Sequence, residues 1–440
     1  MSDFNYDRLN IIDGTELRKI INSYLNNEFN KSLAKLFSVG VFAGLITAVS
    51  MPMLAEIYGP ETLGKYQVIL SLILLLSGIS SLRFDFAMLL PKKKYQSSIL
   101  YKISLSSIII TTLIFLTLSM IFNEQLHSYL KIEGGLEYSL YLTVAVTFSG
   151  LMQLTQMVFV RDANFSELSL NKAVHVMLVN LGAIVIGSFY PEYTTLVLSF
   201  LCATILVVLM NFFKISQKRK YTFLPIPLLF KYTIKYKKYP TINTATNLLN
   251  SFSINMPIFV ITYRYGLVEV GMFMMASRIL DLPLSLIFSS LNQVYAKYAS
   301  DDYKLGANFL KLRYYKTLKK LLVISCMYSF AIVIFVIFFV DIFFDEEWSA
   351  LPEYIFIMLL PKVGQLCVSP LSTTLNILNK EEWGFLSIFL FVIVRYFSLT
   401  FFTDFMEGLI LYSFVTAIFY VVMSLLNSYF IRGELNEKQN

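Results

Sequence analysis

Residues 54–93 read LAEIYGPETLGKYQVILSLILLLSGISSLRFDFAMLLPKK. From Tyr66 to Leu82 this stretch carries no charge, and it is long enough to cross the hydrocarbon of a bilayer as a helix. A Tyr-Gly-Pro turn precedes the run, and Arg83, Asp85, Lys92 and Lys93 follow it. Working outward, runs of the same kind recur near residues 37–55, 102–122, 138–160, 172–190, 193–213, 241–262, 271–296, 321–344, 351–378, 384–402 and 407–430. The chain is 56% apolar and 15% charged, with a mean hydropathy of +0.64, whereas a soluble domain is about one-quarter charged. These features predict an all-α integral membrane protein of about twelve transmembrane helices. A β-barrel would instead show short segments of alternating polarity.

The Lys/Arg distribution sets the expected orientation. With a cytoplasmic N-terminus, the even-numbered connections hold the basic clusters of residues 92–94, 214–238 and 297–320, and the opposite loops hold little beyond Lys65, Lys131 and Arg264. Both termini are therefore expected in the cytoplasm. The net charge of +7 is then a topology signal and does not point to nucleic acid. No removable signal peptide is expected. Leu17, Ile20, Ile21, Tyr24 and Leu25 recur at helical spacing, which fits either an amphipathic surface helix or a solvated tail. Cys202, Cys326 and Cys367 show no pairing or metal spacing, and His175, inside an apolar run, reads as a hydrogen-bonded structural residue.

The chain repeats itself. Tyr58-Gly59, Gly64 and Tyr66 recur as Tyr265-Gly266, Gly271 and Phe273, at the same internal spacing and each between the first two spans of its half. Six spans per half insert both halves in the same sense, giving a parallel repeat about an axis along the membrane normal. The expected divisions are a cytoplasmic N-terminal amphipathic segment at 1–34, a six-helix lobe at 35–213, a basic linker at 214–240, a second six-helix lobe at 241–431 and a tail at 432–440. Lys231, Lys235 and Lys238 alternate with Tyr232, Tyr236 and Tyr239 in that linker, a pattern open to two readings: a helix lying on anionic membrane lipids, or the basic anchor of the neighbouring spans. Pro283, Pro361 and Pro370 are expected to kink or break their helices where these line protein or a wet cavity.

Three cations lie deep in apolar spans: Arg278 in MFMMASRILDLPLSL, Lys362 in YIFIMLLPKVGQLCV and Arg395 in SIFLFVIVRYFSLTF. A charge at the bilayer centre costs at least about 2.5 kcal/mol and so marks a cavity or a partner. At 1.5 Å per residue, Arg278 lies roughly 10 Å below the outer boundary and Lys362 roughly 16 Å. Asp281 is the one comparably deep acid; it either neutralises Arg278 three residues away or couples transport to protons or sodium. Lys362 has no acid nearby in sequence and is expected to be the strongest anion contact. Arg395 is a substrate contact or an interhelical structural one. Arg83, near the inner boundary, is a further candidate beside its reading as a positive anchor.

The elements Tyr58-Gly59-Pro60, Gly64, Tyr66, then Arg83-Phe84-Asp85 and Pro91 resemble the start of lipid-linked oligosaccharide flippases of the O-antigen and capsule type. GMFMMASRILDLPLSLIFSSLNQVY (residues 271–295) resembles the eighth span of that family, with Arg278 and Pro283 in keeping, while in the first stretch Asp85 stands where relatives often have Glu. The resemblance implies the fold of multidrug and toxic compound extrusion transporters. It further implies translocation of undecaprenyl-diphosphate-linked oligosaccharide across the bacterial cytoplasmic membrane by alternating access, with a polysaccharide polymerase and a chain-length regulator as partners.

Such a substrate fits the cations, because Arg grips phosphate oxygens through its planar fork and Lys acts as a point charge. No cofactor and no catalytic residue are expected, and no nucleotide-binding P-loop is present. A multidrug exporter of the same superfamily is the alternative, although cationic drugs call for acids and aromatics. A membrane glycosyltransferase or polymerase fits less well, for want of a substantial loop carrying acids or His.

Overall fold

Each apolar run forms an α-helix, the arrangement that satisfies its backbone without water. The computed structural model describes residues 14–91, 93–131, 136–218, 225–378 and 380–437. In chain order the helices are α1 (Gly14–Ser80), α2 (Phe84–Ala87), α3 (Lys94–Ile121), α4 (Asn123–Leu130), α5 (Leu136–Arg161), α6 (Phe165–Gly187), α7 (Tyr193–Lys218) and α8 (Ile226–Lys235). They continue as α9 (Thr244–Arg264), α10 (Leu267–Leu305), α11 (Ala307–Phe343), α12 (Leu351–Val368), α13 (Thr373–Ile377), α14 (Glu381–Thr400) and α15 (Phe405–Glu437). Among the described residues there is no strand, and nine helical stretches are long and apolar enough to span a membrane. The first of these holds two expected spans, and α9 and α10 fall outside the nine found among the described residues.

Residues 1–13 of the expected N-terminal segment, 219–224 of the expected linker and 438–440 of the expected tail lie outside the described residues. From Gly14 the chain is already helical and runs on into the first span as α1. The basic stretch after α7 folds into α8, whose Leu228, Leu229 and Tyr232 pack with Tyr236 and Tyr239 on a core of α2, α3 and α5 residues. Lys235 sits over the Tyr232 and Tyr236 rings. Of the three prolines, only Pro370 interrupts its helix, in the short 3-10 turn after α12; Pro283 and Pro361 lie inside continuous helices.

The repeat is structural as well as sequential. Gly59 breaks α1 at φ 63°, ψ 173°, and Gly266 separates α9 from α10 at φ 119°, ψ −177°. Both glycines occupy a region that side chains essentially exclude. Tyr58 donates its hydroxyl to the carbonyl of Ala183 on α6 at 2.7 Å, and Tyr265 donates to that of Leu399 on α14 at 2.7 Å. Each tyrosine thus ties its hairpin to the fifth span of its own half.

The two copies also meet. A methyl group on Gly64 would lie 2.0 Å from the Leu267 carbonyl oxygen, and one on Gly271 would lie 1.9 Å from that of Pro60. Pro60 and Leu267 hold equivalent positions in the two copies, so the contact is reciprocal about a pseudo-two-fold axis. Beside this seam the Trp348 ring is buried, donating its indole N–H to the Ala55 carbonyl at 3.3 Å. The main core joins both halves here, with Leu54, Leu63 and Ile69 of α1 packed in one cluster with Val270, Met274 and Ile355.

Candidate functional site

The deep charges sit on helices α10, α12 and α14, and the fold pairs them differently from the sequence order. Asp281 points to Lys362, 81 positions away, with Nζ at 2.6 Å from its carboxylate. Lys362, expected to lack an acid, therefore has one, and Arg278 is released from the neutralising role expected of Asp281. Arg278 makes neither an ion pair nor a hydrogen bond among the described residues; Tyr66, from the repeat motif, is its electrostatic neighbour. The pair is asymmetric in exposure, since the Asp281 side chain is 47% exposed and that of Lys362 16%. The carboxylate therefore faces open space while the ammonium is tucked behind it.

Arg395 is held from several sides. It donates to the Ser253 carbonyl of α9 at 3.3 Å and to the Tyr412 hydroxyl of α15, and its guanidinium lies over the Phe391 and Tyr412 rings at 4.9 and 4.7 Å. These are the contacts of an interhelical clamp on α9, α14 and α15. Tyr420 of α15 lies within electrostatic reach of both Arg395 and Asp281, linking the clamp to the ion pair. His175 likewise has a structural partner, the Thr204 hydroxyl at 2.9 Å.

Arg83 occupies a separate place. Leu82 and Arg83 are both left-handed, with φ of 49° and 58°, and together they turn the chain sharply between α1 and α2. For non-glycine residues this backbone costs on the order of 1–3 kcal/mol each. The turn brings the Arg83 guanidinium 3.8 Å from the Phe86 ring centroid, and both residues line a crevice of about 570 Å³. Asn243, Asn247 and Asn250 form part of the opposite wall, on one face of a helical stretch that starts with a π turn at Tyr239–Asn243. Asn247 spans the crevice, donating to the Gly78 carbonyl at 2.9 Å. An arginine facing an amide ladder can hold phosphate and sugar hydroxyls together. Asn at i, i+4 and i+7 is the signal that the sequence carries for this ladder, set among Thr and Ser of the same helical stretch.

Asp85 points the other way, buried, and accepts from the Ser81 hydroxyl at 2.7 Å. Burial raises its pKa, against the smaller opposing effects of Ser81 and Arg83. A carboxyl whose folded pKa lies above its unfolded one stabilises the fold at low pH, and that contribution is lost as pH rises through the folded pKa. Asp85→Asn keeps an acceptor for Ser81 and is expected to melt above the unsubstituted protein at pH 8, with the difference vanishing near pH 4. A constant difference across that range would show that Asp85 does not titrate in this way.

The Asp281–Lys362 pair has its own test. Asp281→Asn leaves the Lys362 ammonium unpaired, and the expected loss is about 1–2 kcal/mol, reduced by the solvation of the half-exposed partner. The exchange Asp281→Lys with Lys362→Asp should recover most of the melting temperature. Failure to do so would mean that each residue has other obligations.

Residues 86–352, more than half of the chain, match the family described as polysaccharide biosynthesis protein. The chain belongs to the polysaccharide biosynthesis protein family. No curated protein is similar to it in sequence. Among solved structures, this family member superimposes on the lipid II flippase MurJ in an inward closed conformation with a TM-score of 0.70 at 16% identity, over 91% of this chain and 90% of that one. An inward-facing multidrug resistance MATE family transporter of the MOP superfamily gives 0.63 at 14% identity, over 91% and 95%. A MOP superfamily transporter from Pyrococcus furiosus, described by the reverse polarity of its binding pocket, gives 0.59 at 15%, over 91% and 96%. The chain therefore shares the fold of these transporters, and it is a multi-pass membrane protein.

Proposed function

We propose that the chain is a flippase, not an enzyme, that moves undecaprenyl-diphosphate-linked oligosaccharide repeat units from the cytoplasmic to the outer leaflet of the bacterial inner membrane. It works by alternating access and serves O-antigen or capsule synthesis. The observation that carries this reading is Arg278, a mid-span guanidinium with no ion pair or hydrogen bond among the described residues. Such a group is expensive unless an anion visits it, and a diphosphate is an anion matched to its fork.

Arg83 and the amide ladder are the loading point on the cytoplasmic side, with both termini on that side. Lys362 contributes when Asp281 releases it, which makes Asp281 the switch for a proton or sodium ion. Arg395 contributes from the clamp. The polysaccharide polymerase and chain-length regulator act on the product outside.

A multidrug exporter has the same fold, but an unanswered cation in the path repels the cationic compounds that such exporters carry by charge pairing and cation–π contact. Deletion of the gene, followed by analysis of lipid-linked intermediates, decides between the readings. Completed units accumulating on the cytoplasmic side support the flippase. Shortened units would indicate a transferase, and normal units with lost drug resistance an exporter.

A further inference from the structure

A cavity of about 710 Å³ opens among the basic-side ends of α3, α5 and α7. Its lining includes Leu89, which is exposed, with Val158, Phe159 and Ile215 buried behind it, and Lys94, Arg161 and Lys214 carry the charge. Arg161 is not a loose surface cation. Its side chain is 9% exposed, and it donates to the carbonyls of Pro91 at 3.2 Å and Lys93 at 3.5 Å, so the positive charge is fixed in the cavity wall. The acids nearby are already answered: Asp162 lies 3.8 Å from Arg161, and Glu167 lies 2.5 Å from Lys214. Lys94, beside the exposed Lys93, makes no ion pair among the described residues and leaves the rim with an excess positive charge.

The repeat supplies a comparison within the molecule. At the corresponding helix ends of the second half, Leu310, Tyr314, Leu371, Leu378 and Ile431 are all buried in one packed cluster. The first half has its own packed cluster at these helix ends, with Ile99, Leu100, Val158, Phe159 and Ile215 buried together, and the basic cavity opens beside it.

We propose that this corner binds the monoanionic phosphodiester headgroup of a membrane phospholipid. The phosphate sits between Lys94 and Arg161, and the glycerol end of the acyl chains lies on the exposed Leu89. Leu89 adds an apolar contact that a soluble phosphate ester would not use, and basic pockets between transmembrane helices on the cytoplasmic side are suited to phospholipid headgroups. The site is independent of the transported substrate and would serve an exporter equally well.

The test is native mass spectrometry of the full chain in detergent, titrated with dioleoyl phosphatidylglycerol, dioleoyl phosphatidylcholine or glycerol 3-phosphate. Phosphatidylglycerol should bind more tightly than the zwitterionic lipid, and Lys94→Gln should weaken it by about fivefold, the equivalent of one basic residue near the surface. Lys316→Gln, at an exposed lysine on the same side, should leave it unchanged. Both substitutions are at exposed positions, and equal melting temperatures would confirm intact folds. Equal losses from the two variants, equal affinity for the two lipids, or tighter binding of glycerol 3-phosphate than of phosphatidylglycerol would each overturn the proposal.

Discussion

Gly271→Ala is expected to force the seam between the two halves open. The added methyl would lie 1.9 Å from the Pro60 carbonyl oxygen and 2.7 Å from its carbon, so two rigid backbones must separate by about 1 Å, with no rotamer available to absorb the change. Overpacking costs about 1–3 kcal/mol, and more where the obstacle is main chain. At 3 kcal/mol the population of the closed seam falls by about 150-fold relative to the open one. Leu63 is 1% exposed beside this contact, so a cysteine placed there should resist a membrane-impermeant thiol reagent in the parent and react in the Gly271→Ala background. Gly40→Ala is the control, because nothing lies within 4 Å of its added methyl. Unchanged labelling after Gly271→Ala would mean that the two copies do not bear on one another as described.

Arg278→Ala should cut export strongly while leaving protein in the membrane, and Arg395→Ala should lower the amount of protein in the membrane. Arg278 has no hydrogen bond or ion pair to lose among the described residues, so its removal does not unmake the fold. If it holds a phosphate oxygen, a charged hydrogen bond of about 1.5–3 kcal/mol disappears, roughly a 10- to 150-fold loss. Arg278→Lys should retain part of the activity, since it restores the charge without the fork. Arg395→Ala instead removes the link among α9, α14 and α15, and lower protein abundance is the expected result. Measurement of surface polysaccharide and of membrane-inserted protein in the same cells separates the two. Full export from a stable Arg278→Ala protein would remove the central support of the flippase reading.

The helices were legible because the bilayer demands uninterrupted apolar runs, and α3, α5, α6, α7 and α11 to α15 all fall on such runs. The repeat was legible from four residues. What the sequence hid was pairing across helices. Arg278, three residues away on one face, is the partner that local spacing offers Asp281, because local spacing is all that a linear chain displays; the fold gives it to Lys362 on α12. Arg395 looked isolated for the same reason, its partners being 142 and 17 positions distant. Trp348, one of two tryptophans in the chain, sits in a short connection that hydropathy passes over, yet it is buried at the seam. The strained turn at Leu82 and Arg83 could not be foreseen either, since neither residue type favours a left-handed backbone.

The reciprocal glycine contact also bears on how a duplicated chain forgets its origin. Once two copies of a segment diverge, each position drifts according to its own surroundings, and most of the ancestral likeness is erased. At Gly64 and Gly271 the surroundings of each copy are the other copy, so a side chain gained by either is refused by both. The ancestral letters should therefore outlast the rest along this line of self-contact, and a few matched residues there can mark a duplication that overall similarity no longer records.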